Sequence, residues 1–170
     1  MIPPSPGSSW PTEQELDELI RRFRDRTLPK GEWTHRAHLA VGAWHVVKHG
    51  PARALDSLRS GITRLNDAHG TVNDDRGGYH ETITRAYVEL LAGFVADRQG
   101  LSAAACAREL LASPLAEPKA LLRYYSQTRL MSVAARRGWL EPDVAALRLT
   151  SSGPRQAPAT ARTSRSRRDP

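Results

Sequence analysis

His35 and His38 stand three residues apart in the segment Trp33-Thr34-His35-Arg36-Ala37-His38. On a helix, side chains at i and i+3 share a face with Cβ atoms about 5–6 Å apart. Two imidazoles so placed can reach one ion at a metal–nitrogen distance of about 2.0–2.1 Å. A third histidine, His80, follows Gly77-Gly78-Tyr79 and comes three residues before Ile83 and seven before Tyr87. That spacing puts it on the apolar stripe of its own helix and aims it inward. Helical bundles assemble metal sites from inward histidines on facing helices, and three neutral nitrogens leave coordination positions open for water or substrate. The same residue also reads as a core histidine with a single hydrogen-bond partner.

Glu81 adjoins His80 in the first turn after the two glycines. Adjacent helical side chains diverge by about 100°, so both can serve one centre only where the backbone is irregular. Glu81 is then a fourth ligand, an acceptor that fixes a histidine tautomer, or a general base. A carboxylate at a helix N-terminus is equally well explained by the helix dipole. The expected metal set is therefore His35, His38, His80 and Glu81, holding one divalent transition metal ion (Fe, Cu, Ni or Zn), since imidazole-rich sites accept all four.

Catalytic candidates around that set are Glu81, Tyr79, Asn66 and Arg36, the last able to clamp a carboxylate or phosphate. Trp33, Tyr124 and Tyr125 are placed to face a substrate, and each of these residues also has a structural reading as buried area or solvated charge. His45 lies two turns from His38, too far to share its metal. With His49 it suits the carbonyls at a helix C-terminus. Cys106 has no basic or histidine neighbour in sequence to lower its pKa, so no nucleophilic role is expected.

These side chains need helices to hold them. Thr12 and Glu15 form a capping-box pair ahead of Leu16, Leu19, Ile20 and Phe23, which predicts a first helix to about Thr27. Thr34 caps a second helix ending at Gly50, and its middle, Leu39 to Trp44, is apolar on every side and so belongs at the centre of a bundle. Pro51 opens a third, with Leu55, Leu58, Ile62 and Leu65 in register. After a polar, Gly-rich connection Tyr79 opens a fourth, with Ile83, Tyr87, Leu90, Leu91 and Phe94 inward. Ser102 caps a fifth to about Ser113, and another is predicted from Ser126 to Arg137 with Gly138 as its stop. The segment from Trp139 to Leu147 should lie extended across the bundle, with Trp139, Leu140 and Val144 packed down. The expected fold is all-α, a compact bundle of about five to six helices in one domain over residues 10–148.

The chain has 170 residues and a mean hydropathy of −0.52, compatible with a soluble globular protein. No apolar run approaches the roughly 20 residues that span a bilayer, and no cationic start precedes an apolar stretch, so no membrane contact is expected. A single cysteine excludes a disulfide framework and fits a reducing cytoplasm. The net charge of +7 resembles a nucleic-acid signal until it is located: the last 16 residues carry +4 of it. That tail, 149–170, has almost no large apolar residue and is expected to be disordered, as residues 1–9 are expected to be a flexible lead-in. Nucleic acid is not the expected partner. A small-molecule substrate is, and a homodimer is compatible with the composition.

Three segments, WTHRAHLAVGAW, GYHETIT and RLMSVAARRGWLEPD, resemble recurring blocks of a group of small bacterial proteins of unassigned function, over roughly Phe23 to Leu147. The resemblance implies a shared domain and puts weight on His35, His38, His80 and Glu81. It supplies no substrate. The leading expectation is a metal-dependent enzyme on a small organic substrate in a bacterial specialised-metabolite pathway, with oxygen-dependent or rearrangement/lyase chemistry ahead of hydrolysis because no HExxH-type base is present. The alternatives are a non-catalytic helical regulator or interaction module with a basic tail, and a metal-free enzyme using His80 and Glu81 as an acid–base pair.

Overall fold

The computed structural model describes residues 9–147; the Arg-rich tail and nearly all of the lead-in lie outside the described residues. Helix α1 (Glu13–Asp25) starts on a complete capping box: the Thr12 hydroxyl accepts the Glu15 amide at 3.2 Å, and the Glu15 carboxylate accepts the Thr12 amide at 2.8 Å. Its stripe of Leu16, Leu19, Ile20 and Phe23 is buried, each such side chain worth roughly 1.5–3 kcal/mol.

Helix α2 (His35–Ala68) begins at Thr34, whose hydroxyl accepts the Ala37 amide at 3.3 Å. The two helices expected to meet at Gly50 run on as one element with a kink there, Gly50 taking φ 74° and ψ 168°. A residue without a Cβ adopts that φ freely, and Pro51 resumes the helix because its missing N–H is not needed in a first turn. Leu39, Ala40, Val41 and Ala43 are buried with no polar face between them, and α1, α3 (Glu81–Ala96) and α4 (Ala103–Leu111) all pack on α2. The apolar stretch is central for the reason its sequence implies: a helix without a polar side must be covered on every side.

Helix α3 starts later than the sequence suggests. Tyr79 lies outside it, and His80 is its N-cap. Beyond α4 the chain makes short 3-10 turns and two short helices, α5 (Gln127–Leu130) and α6 (Val133–Arg137). The single helix expected from Ser126 to Arg137 is thus interrupted. The Ser132 hydroxyl accepts the Ala135 amide at 3.1 Å and donates to the Arg129 carbonyl at 2.8 Å, so a serine ends one helix and caps the next.

The segment after Gly138 is held by hydrogen bonds more than by apolar contacts. Tyr125, 1% exposed, donates its hydroxyl to the Leu140 carbonyl at 3.0 Å. Asp143 accepts the Ser126 amide and hydroxyl at 2.8 and 2.6 Å. Trp139 and Leu140 are half-buried as expected, whereas Val144 is exposed. What anchors Val144 is its amide, which donates to the Tyr124 carbonyl at 3.0 Å. Among the described residues there is no strand, and no helix is long and apolar enough to cross a membrane.

Candidate functional site

A cavity of about 90 Å³ lies between the first half of α2 and α3. Trp33, His35, His38 and Gly42 line it from one side, Ile83, Thr84 and Tyr87 from the other, with leucine, isoleucine and valine side chains behind. The i, i+3 pair therefore does share a face, as its spacing requires. Trp33 stacks flat on His38 with ring centroids 3.8 Å apart and on Phe23 at 5.1 Å, so the pair is backed by an aromatic column rooted in α1.

His35 is half-buried, and its Nε2 atom is buried without a hydrogen-bond partner. Burial lowers its pKa. His38 keeps accessible surface, yet the protein crowded about its ring, and secondarily His35, pull its pKa down to about 4. Water can reach one side of that ring, so only the direction matters below: His38 is neutral at pH 7. Tyr87 tilts against His35 at 5.7 Å, and burial pushes its phenol up to about 12. It too is neutral, and its hydroxyl makes no hydrogen bond to another described residue.

His80 does not join this pair. Its Nδ1 accepts the Ile83 amide at 3.3 Å, which fixes the tautomer, and Nε2–H donates to the Leu130 carbonyl at 3.0 Å. Both ring nitrogens are spent on backbone groups, so the expected third ligand is a helix cap and a link to α5. The inward position was legible, and the core-histidine reading is the one the geometry supports.

Glu81 is likewise engaged elsewhere. It is paired with Arg59 from the second half of α2, whose Nε donates at 2.9 Å, and it accepts the Tyr79 hydroxyl at 2.8 Å. The Arg59 bond, against the opposing effect of burial, holds its carboxyl below the usual range, while burial first and Glu81 second raise the Tyr79 phenol. Glu81 and Tyr79 are thus a charged tie between helices, and neither lines the cavity.

Asn66 is a loop fastener. Its amide donates to Asn73 Oδ1 at 2.9 Å, its carbonyl accepts the Thr71 amide, and Asn73 Oδ1 also takes the Tyr79 amide at 2.9 Å. Gly78, at φ 73°, sits so close that a Cβ there would collide with Asn73. Arg36 places its guanidinium carbon 5.9 Å from the centre of the Trp10 ring, and its Nε is buried without a partner. His45 donates Nδ1–H to the Val41 carbonyl at 2.8 Å in mid-helix, and His49 stands edge-on to Trp44; neither approaches the role expected at a helix end. Burial raises the Cys106 thiol, in line with an inert residue. Tyr124 and Tyr125 serve the 139–147 segment.

Among the described residues no three His, Cys, Asp or Glu side chains come together as a group able to hold a metal. The expected four-residue set divides instead into a cavity pair, His35 and His38, and a structural pair, His80 and Glu81. The segments GYHETIT and RLMSVAARRGWLEPD meet one another. Besides the His80 bond, buried Thr82 donates to the Gly138 carbonyl at 2.6 Å and accepts the Leu140 amide at 3.0 Å. Arg136 reaches the Tyr79 carbonyl at 3.2 Å, and Arg85 lies 4.3 Å over the Trp139 ring. One block docks the other.

Sequence reasoning read Ile83 and Tyr87 as packing residues, and the cavity is built on them. The available signal was a phenol at an inward position one turn beyond Ile83, a polar tip where an aliphatic side chain would pack as well. Three buried side-chain nitrogens lack partners among the described residues, Trp33 Nε1, His35 Nε2 and Arg36 Nε; Trp33 and His35 line this cavity, whereas Arg36 turns to Trp10. No protein-family model, curated protein or solved structure matches the chain.

Proposed function

We propose that this chain binds a small, predominantly apolar organic molecule in the cavity between α2 and α3, with Trp33 and His35 reading its polar group. The observation that carries the reading is that two residues lining that cavity, Trp33 and His35, each carry a buried ring nitrogen without a partner. A buried polar atom left unpaired costs about 1–3 kcal/mol, and native proteins keep few of them. A ligand with one oxygen acceptor would take the Trp33 N–H. A hydroxyl would in addition donate to His35 Nε2 in the tautomer that leaves that atom unprotonated. The apolar remainder of the lining would exclude water from the rest of the molecule.

A thermal-shift screen of small aromatic and aliphatic alcohols, ketones and amides tests this. A true ligand at one hundred times its Kd stabilises the fold by about 2.7 kcal/mol, and His35→Phe removes that gain while leaving the unliganded chain folded. A screen in which no compound stabilises the parent chain more than His35→Phe contradicts the proposal.

The second reading is the metal-dependent enzyme expected from the sequence, now resting on His35 and His38 alone. Neutral imidazoles at ligand spacing with an unpartnered Nε2 favour it, because a metal binds the deprotonated ring. Substrate atoms or water would complete the coordination, and oxygen-dependent or lyase chemistry on a small substrate would follow. Elemental analysis of untagged protein decides this: near-stoichiometric metal lost in His35→Ala and retained in His80→Asn supports it. Metal retained in His35→Ala overturns it, as does its absence after aerobic and anaerobic preparation.

A further inference from the structure

A second space adjoins the cavity. A groove of about 360 Å³ lies between α3 and the 118–131 segment, and His35, Ile83 and Tyr87 line both spaces. These three side chains border both spaces, so a ligand in the inner one lies within one side chain of the outer one. The groove walls are largely apolar, with Leu121, Leu122, Leu130 and Met131, the last 54% exposed and able to shift to fit a ligand. Besides His35 and Tyr87 on the shared wall, Lys119 and Gln127 break that surface.

Charge gives the lining a direction. No aspartate or glutamate lines either space, and Lys119 is the one charged residue that does. Lys119 is exposed and makes no ion pair among the described residues. An anionic group in the groove would meet an ammonium and an amide N–H donor; a cationic one would find the Gln127 amide oxygen but be repelled by Lys119. Size gives the ligand a length. At about 10–15 Å³ per water-sized group, the inner cavity takes roughly six to nine heavy atoms.

We infer that cavity and groove form one site, and that its ligand is a small organic monocarboxylate whose apolar body fills the inner cavity while its carboxylate lies at Lys119. This rests on the cavity being a small-molecule site, and it adds the ligand's charge, polarity and orientation. The polar group read by Trp33 and His35 is then a second, uncharged function on the natural ligand. A simple alkyl carboxylate lacking that function is a minimal probe of the charge preference.

Isothermal titration of the full chain with octanoate, octanol and octylamine at neutral pH and low salt is the test. Octanoate binds more tightly than the other two. Lys119→Ala, a surface change that leaves the fold intact, weakens octanoate by about two- to fivefold and leaves octanol unchanged, while Lys119→Arg keeps the preference. His35→Phe, altering the shared wall, weakens octanoate and octanol together. Equal affinity for octanoate and octanol, or octanoate binding indifferent to Lys119→Ala or to His35→Phe, overturns the inference while leaving the small-molecule reading in place. No heat from any of the three at either 10 or 35 °C, where an association athermal at 25 °C would show its heat-capacity change, overturns the inference and counts against that reading as well.

Discussion

Replacing His80 by alanine separates a structural histidine from a ligand. The substitution removes the α3 N-cap, which is worth about 1 kcal/mol. It also strips the buried Leu130 carbonyl of its donor, at about 1–3 kcal/mol. His80 is 7% exposed, so the lost ring leaves a void that adds about another 1 kcal/mol. The sum is about 3–5 kcal/mol, a large part of the roughly 5–15 kcal/mol that holds a domain of this size together. At about 2–5 °C per kcal/mol, Tm falls by about 6–25 °C. His80→Asn keeps a capping oxygen for the Ile83 amide but cannot reach Leu130, so it loses about 1 kcal/mol less. Urea denaturation followed by circular dichroism gives the totals, and amide exchange should show residues 127–140 opening first in both variants. An alanine variant within 1 kcal/mol of the parent, or an asparagine variant no better than alanine, refutes the reasoning and returns His80 to the list of free ligands.

Three further outcomes follow from the packing and the charges. Gly61→Ala gains about 1 kcal/mol of helix propensity, but its Cβ would stand 2.6 Å from a ring carbon of Phe23, which is 2% exposed and has nowhere to go; a net loss of about 1–2 kcal/mol in urea melts is expected. Glu81→Gln breaks a partly exposed ion pair with Arg59, so it should cost about 1 kcal/mol, an effect that shrinks in 1 M salt, and should leave ligand affinity unchanged. His45 and His80 both have pKa values lowered chiefly by burial, with Arg24 and Arg136 respectively adding to it. The unfolded chain therefore takes up protons first as pH falls through 6.5. Stability is fully present above that pH and declines as pH drops toward the folded-state values. Urea midpoints should be level from pH 8 to 7 and fall below 6.5, with a shallower fall in His80→Asn; a midpoint flat from pH 7 to 5.5 contradicts this.

Local chemistry was legible where it depends on neighbours in the chain. The capping box at Thr12 and Glu15, the caps at Thr34 and Ser102, the break at Gly50 and the all-round burial of Leu39 to Ala43 each follow from residues within a turn or two of one another. The His35–His38 pair was legible for the same reason, since i, i+3 geometry is a property of one helix. What His80 does was not, because its fate depends on a carbonyl fifty residues away at Leu130 and on its own position one residue outside the helix. An inward histidine satisfied by backbone and one awaiting a ligand have the same sequence signature. The engagement of Glu81 was illegible for a related reason: its partner Arg59 sits on another helix at no recognisable spacing. The helix break at Ser132 was missed because a serine inside an otherwise helical run can bond back along the helix or cap a new one.

The central claim is that the wall carrying Trp33, His35 and His38 receives a small organic molecule. Nitrogen NMR of the six histidine rings during titration with such a molecule tests it most directly. The ring nitrogens of His35 and His38 should move together and saturate with the ligand, while those of His45, His69 and His80, tied to the carbonyls of Val41, Leu28 and Leu130, stay where they are. Shifts at His80 that leave His35 unmoved would contradict it.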